Sequence, residues 1–180
     1  VDMERGRSDW RRAGLALAIL LVAPLIGGAT GRLTSLEPRL LAAHNQERAA
    51  AGLPPLLWDD ALAADAGAWG ETLAQVDDIE HSPDDPDDPD PQGENLWLGT
   101  RGYYAPEAMV GMWIEEKKHY RPGIFPANSR TGNLDDVGHY TQLMWRDTDR
   151  VGCALAETDD NEILVCRYLT AGNVEGERPF

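Results

Sequence analysis

The amino-acid sequence predicts an α+β fold built as one domain, on three observations. Apolar residues recur with helical period in three separate segments, a short run of β-forming residues sits between the second and third of them, and a cysteine-bearing pair of strands comes near the C-terminus. The chain has 180 residues, 42% of them hydrophobic, which suits a single packed core. No internal repeat and no second domain is visible.

The first helix is expected over Ser35 to Leu53, with Ser35 as N-cap, Pro38 in the first turn and Gly52 just past the end; His44 and Arg48 share one face. A second starts from Asp59 as cap, and Leu62, Ala66, Trp69 and Leu73 form its apolar stripe. Pro83, Pro86, Pro89 and Pro91 forbid a regular element until ENLWL resumes as a short strand. A third helix spans Pro106 to Tyr120. Glu116 lies on its apolar stripe with Met109, Met112, Trp113 and Tyr120, so it points inward, whereas Glu115 turns outward near Lys118. An inward carboxylate needs a partner, since an unpaired buried charge is costly. A turn-rich loop follows, then HYTQLMW as a short helix or turn. VGCALAETDDNEILVCRY closes the chain as a hairpin, and a two-residue turn at Asp159-Asp160 sets Cys153 opposite Cys166. A disulfide is expected there; two buried free thiols are the alternative.

The formal charge of -15, from 31 acidic and 16 basic residues, argues against nucleic-acid binding, which needs a dense basic patch, and favours a cationic partner over an anionic one. Much of the excess is local. Asp77 to Asp90 holds eight carboxylates and no Lys or Arg, and reads as a solvated, proline-stiffened loop. Calcium binding by these carboxylates is the sharper alternative, although the run lacks the glycine turn of an EF-hand loop.

At the N-terminus Arg5, Arg7, Arg11 and Arg12 precede the apolar run Ala13 to Ala29, which ends in Gly27-Gly28-Ala29. This is the pattern of a signal peptide over residues 1–29, with an uncleaved N-terminal anchor as the alternative. Residues 30–36 then form a short linker and 37–180 the folded domain.

Taken singly, each of the four histidines has a bland reading: His44 bonds locally on its helix and His119 faces solvent. His81 and His139 stand at junctions between loops and elements, where functional side chains are often presented. Taken together, HNQERAAAGLPPLLWDDALAADAGAW, HSP…GENLW, MWIEEKKHY, GHYTQLMWRDTDRVGCALAE and ILVCRYLTAGNVEGERPF resemble, in content and order, the CAP superfamily: cysteine-rich secretory proteins, antigen five and group one plant pathogenesis-related proteins, the SCP domain. The resemblance covers about residues 37 to 180.

It implies an α-β-α sandwich, a small antiparallel sheet between helical layers, with a cleft lined by His81, Glu94, Glu116 and His139. It implies secretion to the extracellular space or cell envelope, a divalent metal in the cleft, a sterol or fatty acid as a small hydrophobic ligand, and a role in defence or host interaction. Two imidazoles and two carboxylates suit zinc. The chain departs from the plant pattern in keeping one cysteine pair only, in inserting the Asp-Pro run, and in carrying Thr170 and Phe180 in its tail.

The resulting expectation is an extracellular binding module. The alternative is a metal-dependent hydrolase using the same cleft, with Glu94 or Glu116 as general base; a structural envelope protein held by the N-terminal segment is a third class. No HExxH helix is present, and Ser82 has no evident base-and-orienter pair. Processing is checked by intact mass: the exported protein should begin near Thr30, whereas full-length chain found only in membranes would establish the anchor.

Overall fold

The computed structural model describes residues 35–76, 78–83 and 87–180. The expected signal segment 1–29 and linker residues 30–34 lie outside the described residues, as does the middle of the Asp-Pro run. In chain order the elements are α1 (Leu36–Ala50), β1 (Leu57–Trp58), α2 (Asp60–Val76), β2 (Gly93–Thr100), α3 (Pro106–Glu115), two 3₁₀ turns (Glu116–Lys118 and Leu134–Asp136), α4 (Gly138–Leu143), β3 (Arg150–Glu157) and β4 (Asn161–Leu169). The strands form one sheet in the order β1-β3-β4-β2.

Two cores flank this sheet because side chains of a strand point alternately to its two faces. On β4, Ile163 and Val165 pack with Leu96 against Ala66 and Leu73 of α2. Leu164, Cys166 and Tyr168 face the other way and join Leu40, Met109, Trp113, Tyr140 and Leu143 from α1, α3 and α4. The α-β-α sandwich is therefore present, with α2 as one layer and α1, α3 and α4 as the other. Gly152 lets the layers close: a Cβ there would overlap the α2 backbone at Asp59 and Ala63.

The hairpin has the expected register. Cys153 pairs with Cys166 across it, their sulfurs are bonded, and Thr158 N donates to the Asn161 carbonyl around Asp159-Asp160. Asp59 caps α2, its Oδ1 accepting from Ala61 N (2.9 Å) and Leu62 N (3.2 Å). Ser35 stands at the N-cap of α1 but its side chain makes no capping bond. Gly52, with φ +72°, turns the chain just past that helix, as only a residue without Cβ does cheaply.

Four expectations need correction. The strand begun at ENLWL runs from Gly93 to Thr100, because its pairing with β4 is continuous over that length. The sheet is not wholly antiparallel, since β1 pairs with β3 in parallel. On α2 it is Gly70, not Trp69, that completes the buried stripe; Trp69 lies at the margin and its Nε1 donates to the Glu80 carbonyl at 3.1 Å. The third helix stops being α-helical at Glu115 and tightens into the 3₁₀ turn that carries Glu116, a common way for a helix to end.

The buried face of α1 consists of Leu40, His44 and Arg48. Arg48 is fully enclosed and its guanidinium meets carbonyls only. Nε donates to Pro54 (2.8 Å), Nη1 to Leu143 and Trp145 (3.0 and 2.8 Å), and Nη2 to Thr148 (2.9 Å). Burial lowers its pKa to about 10, which keeps it charged at neutral pH. Arg48→Leu would leave these carbonyls without that donor, and each stranded buried acceptor costs about 1–3 kcal/mol. We expect it to destabilise the fold by at least about 3 kcal/mol in urea unfolding; an unchanged midpoint would show that water replaces the guanidinium at no cost.

Candidate functional site

The site lies where the open end of β2 meets the helical layer. Glu94 comes from the first residues of β2, His81 from the segment after α2, Glu116 from the 3₁₀ turn and His139 from the first turn of α4. They form two pairs. His81 Nδ1 lies 2.6 Å from Glu94 Oε1, and His139 Nδ1 lies 2.6 Å from Glu116 Oε1. Each carboxylate is held a second time by backbone: Ser82 N donates to Glu94 Oε1 at 3.1 Å and Tyr140 N to Glu116 Oε2 at 3.0 Å. The inward turn expected for Glu116 is thus present, although Met112, one turn before it, lies exposed at the rim.

Between the pairs opens a cleft of about 680 Å³ whose lining includes His81, Glu94, Asn95, Asp135, His139 and Gln142. All four expected residues line it or a smaller hollow of about 360 Å³ beside His81 and His139. They stand as two dyads, not as one four-residue cluster: among the described residues no three His, Cys, Asp or Glu side chains come together as a ready-made metal cage. Glutamate at Nδ1 orients each ring so that Nε2 would be the donor to a metal, the arrangement found where a carboxylate backs a ligating histidine.

Several residues that shape the site carry no sequence signal of their own. Arg167 Nη2 lies 3.0 Å from Glu94 Oε2, an ion pair with little solvent contact, and the pairing of β2 with β4 sets these two residues opposite each other. Gln142 is buried, its Oε1 accepting from Gly172 N at 2.9 Å, and Gly93 lies against it: a Cβ there would push the Gln142 amide aside.

A buried chain of hydrogen bonds runs from the cleft into the core. Asn95 Nδ2 donates to the His139 carbonyl (3.1 Å) and reaches Tyr168 Oη (3.2 Å). Tyr168 Oη is 2.8 Å from His44 Nε2, while His44 Nδ1 is 2.8 Å from the Leu40 carbonyl. A carbonyl only accepts, so Nδ1 carries the proton and Nε2 accepts from the tyrosine. Trp113 lies between the two histidines, stacked on His139 at 6.0 Å and edge-on to His44 at 6.2 Å. The bland expectation for His44, a locally bonded helix residue, holds for Nδ1; its other nitrogen supports the floor of the site.

An α-β-α sandwich with two histidine–glutamate dyads across a cleft at one end of its sheet defines a recognisable class of domain. The family model described as the cysteine-rich secretory protein family, CAP, matches residues 41–168. This chain belongs to the CAP family. It is 37% identical to pathogenesis-related protein 1A of Nicotiana tabacum over 151 residues, 83% of each chain. It is 36% identical to pathogenesis-related protein 1 of Arabidopsis thaliana over 141 residues, 78% of this chain and 80% of that one. Among solved structures, NaASP2 with Zn2+ superposes with a TM-score of 0.67 at 20% identity, over 84% of this chain and 88% of that one. At that identity the likeness shows the fold.

Enclosure of His44 makes the fold acid-sensitive. Burial lowers its pKa from 6.5 to about 4. The unfolded chain therefore takes up a proton that the folded chain refuses, and stability from this group is whole above pH 6.5 and is lost as pH falls toward about 4. The integrated loss is on the order of 3 kcal/mol. Urea unfolding at pH 7 and pH 4.5 should show a smaller acid loss in His44→Gln than in wild type; equal losses would place the sensitivity in other groups.

Proposed function

We propose that this CAP protein is an extracellular binding module whose cleft holds a divalent cation, zinc by donor preference, between His81 and His139. The observation that carries the reading is the glutamate at 2.6 Å from each Nδ1, in two histidines that line one cleft. The donor chemistry fits zinc with open positions for ligand: two neutral imidazoles, with Glu94 and Glu116 behind them. A bound zinc would supply a Lewis-acidic anchor for an oxygen or nitrogen of the ligand. Secretion is supported by the family, by the Cys153–Cys166 bridge and by the basic-then-apolar N-terminus. A defence-related role follows the names of the plant relatives.

Calorimetry with zinc at neutral pH tests this. Wild type should give a saturable isotherm that fades on acidification, because imidazole binds metal only when neutral. His81→Ala/His139→Ala should abolish it. Glu94→Gln and Glu116→Gln should each weaken it by about 10–100-fold, the usual cost of losing the group behind a ligand. Neutralising Asp84, Asp85, Asp87 and Asp88 should leave it nearly unchanged. No zinc heat in wild type, or an isotherm that survives the double histidine variant, would overturn the reading; in the first case the dyads only buttress the loops.

A further inference from the structure

We propose that Arg167 is a positioning residue of the Glu94–His81 dyad: its guanidinium fixes the Glu94 carboxylate and thereby decides which ring nitrogen of His81 is left bare for a ligand. The proposal rests on reading the cleft as a binding site, and its test is separate from the metal. Strand periodicity places the residue. On β4, Ile163, Val165 and Arg167 alternate onto the face packed on α2, and on β2 Leu96 and Glu94 do the same. The register sets Arg167 opposite Glu94 on one side and opposite Gly152 on the other. Gly152 has no side chain to compete for the guanidinium.

Each Glu94 oxygen has a separate task. Oε1 takes His81 Nδ1 at 2.6 Å and Ser82 N at 3.1 Å. Oε2 lies 3.0 Å from Arg167 Nη2. Oε2 is buried without an aligned hydrogen-bond donor, so it is the charge of the guanidinium that holds it. The last torsion of a glutamate is broad, and a carboxylate held at one oxygen could swing away from the ring; attachment at both removes that freedom. A carboxylate facing a guanidinium is an acceptor only. In the neutral ring the hydrogen of the 2.6 Å contact therefore belongs to Nδ1, and the lone pair to Nε2. Glu94 and Arg167 are 6% and 13% exposed, whereas the imidazole they direct is 66% exposed. The order in this pair comes from the protein side.

The second dyad is held by other means. Glu116 spends its two oxygens on His139 Nδ1 and on Tyr140 N, which belong to adjacent residues of α4. The His139 ring is also stacked on Trp113 at 6.0 Å. Its carboxylate is thus fixed by the same helix that carries the histidine, and its ring by an aromatic neighbour. Arg167 supplies to the exposed dyad the hold that Tyr140 N and Trp113 supply to the enclosed one. Loss of the guanidinium should therefore disturb His81 and spare His139.

The test reads the ring nitrogens of nitrogen-15-labelled protein in EDTA, at about pH 8 and so above the usual imidazole range, by long-range proton–nitrogen correlation. Wild type should show Nδ1–H in both His81 and His139. In Arg167→Met, His81 should become a mixture with Nε2–H, while His139 keeps its pattern and serves as the control for folding. Arg167→Lys, which keeps the charge, should return His81 toward Nδ1–H. Zinc affinity should fall by about tenfold in Arg167→Met, the low end of the usual loss for a group behind a ligand. Wild-type His81 in the Nε2–H form, an unchanged His81 in Arg167→Met, or equal changes at both histidines would overturn the proposal. If Arg167→Met lacks the His139 pattern, Arg167→Gln is read with the same outcomes; loss of that pattern in both would assign Arg167 to the stability of the sheet and overturn the positioning role. A moved His81 with no zinc heat in wild type would remove the metal reading and leave this proposal standing; an unmoved His81 with zinc heat intact would do the reverse.

Discussion

The buried guanidinium of Arg48 is the constraint on which the rest of the molecule is arranged. Among the described residues no carboxylate pairs with it; its partners are the carbonyls of Pro54, Leu143, Trp145 and Thr148. Leu143 is the last residue of α4, where carbonyls have no partner within the helix and the local dipole favours a cation, and Trp145 follows two residues on. Pro54 leads into β1 and Thr148 into β3. One side chain from α1 therefore fixes the short helix that carries His139 and the entries of two strands. A six-residue helix has little stability of its own, so its position depends on such outside contacts.

The dyads depend on this frame in different ways. Glu116 reaches His139 and Tyr140 across a short distance between two elements that Arg48 and the Trp113 stack already hold. Glu94 is pinned from three directions, by His81, by the Ser82 amide and by Arg167, while His81 itself stays largely in solvent. The fixed member of this pair is the carboxylate and the adaptable member is the imidazole. The opposite pair has both members partly enclosed. One imidazole of the cleft is therefore largely exposed and the other partly enclosed.

How much of this was legible in the sequence follows from range. Asp59, Gly52 and the Asp159-Asp160 turn act within a few residues, and they fall where local rules place them. The Cys153–Cys166 register follows from the turn alone. Glu116 could be turned inward because its helical neighbours are apolar, even though Met112 proved to be rim. The Asn95–Tyr168–His44 chain could not be read, because it joins residues 73 and 124 positions apart and periodicity carries no information about such pairs. Arg48 and His44 actively mislead: on α1 they occupy the buried stripe that a pattern of apolar residues would assign to hydrophobes. The parallel β1–β3 pair was missed because two residues are too few to show any alternation. Membership of the family, by contrast, was visible from motif order over nearly the whole domain, and with it the identity of the four cleft residues.

The Asp-Pro run makes physical sense only against this geometry. His81 and Glu94, 13 positions apart, meet at 2.6 Å, and Ser82 anchors the same oxygen, so the intervening loop is closed at its base by contacts that do not involve it. Once closed there, lengthening a loop is cheap: doubling its length costs only about 0.6 kcal/mol. Insertion is tolerated because both ends are tied to Glu94, and prolines limit the freedom lost on folding. What the insertion changes is the field. Asp88 lines the hollow at Gln92 together with Asp65 and Arg167. We read the run as a spacer between His81 and Glu94, whose meeting does not depend on it.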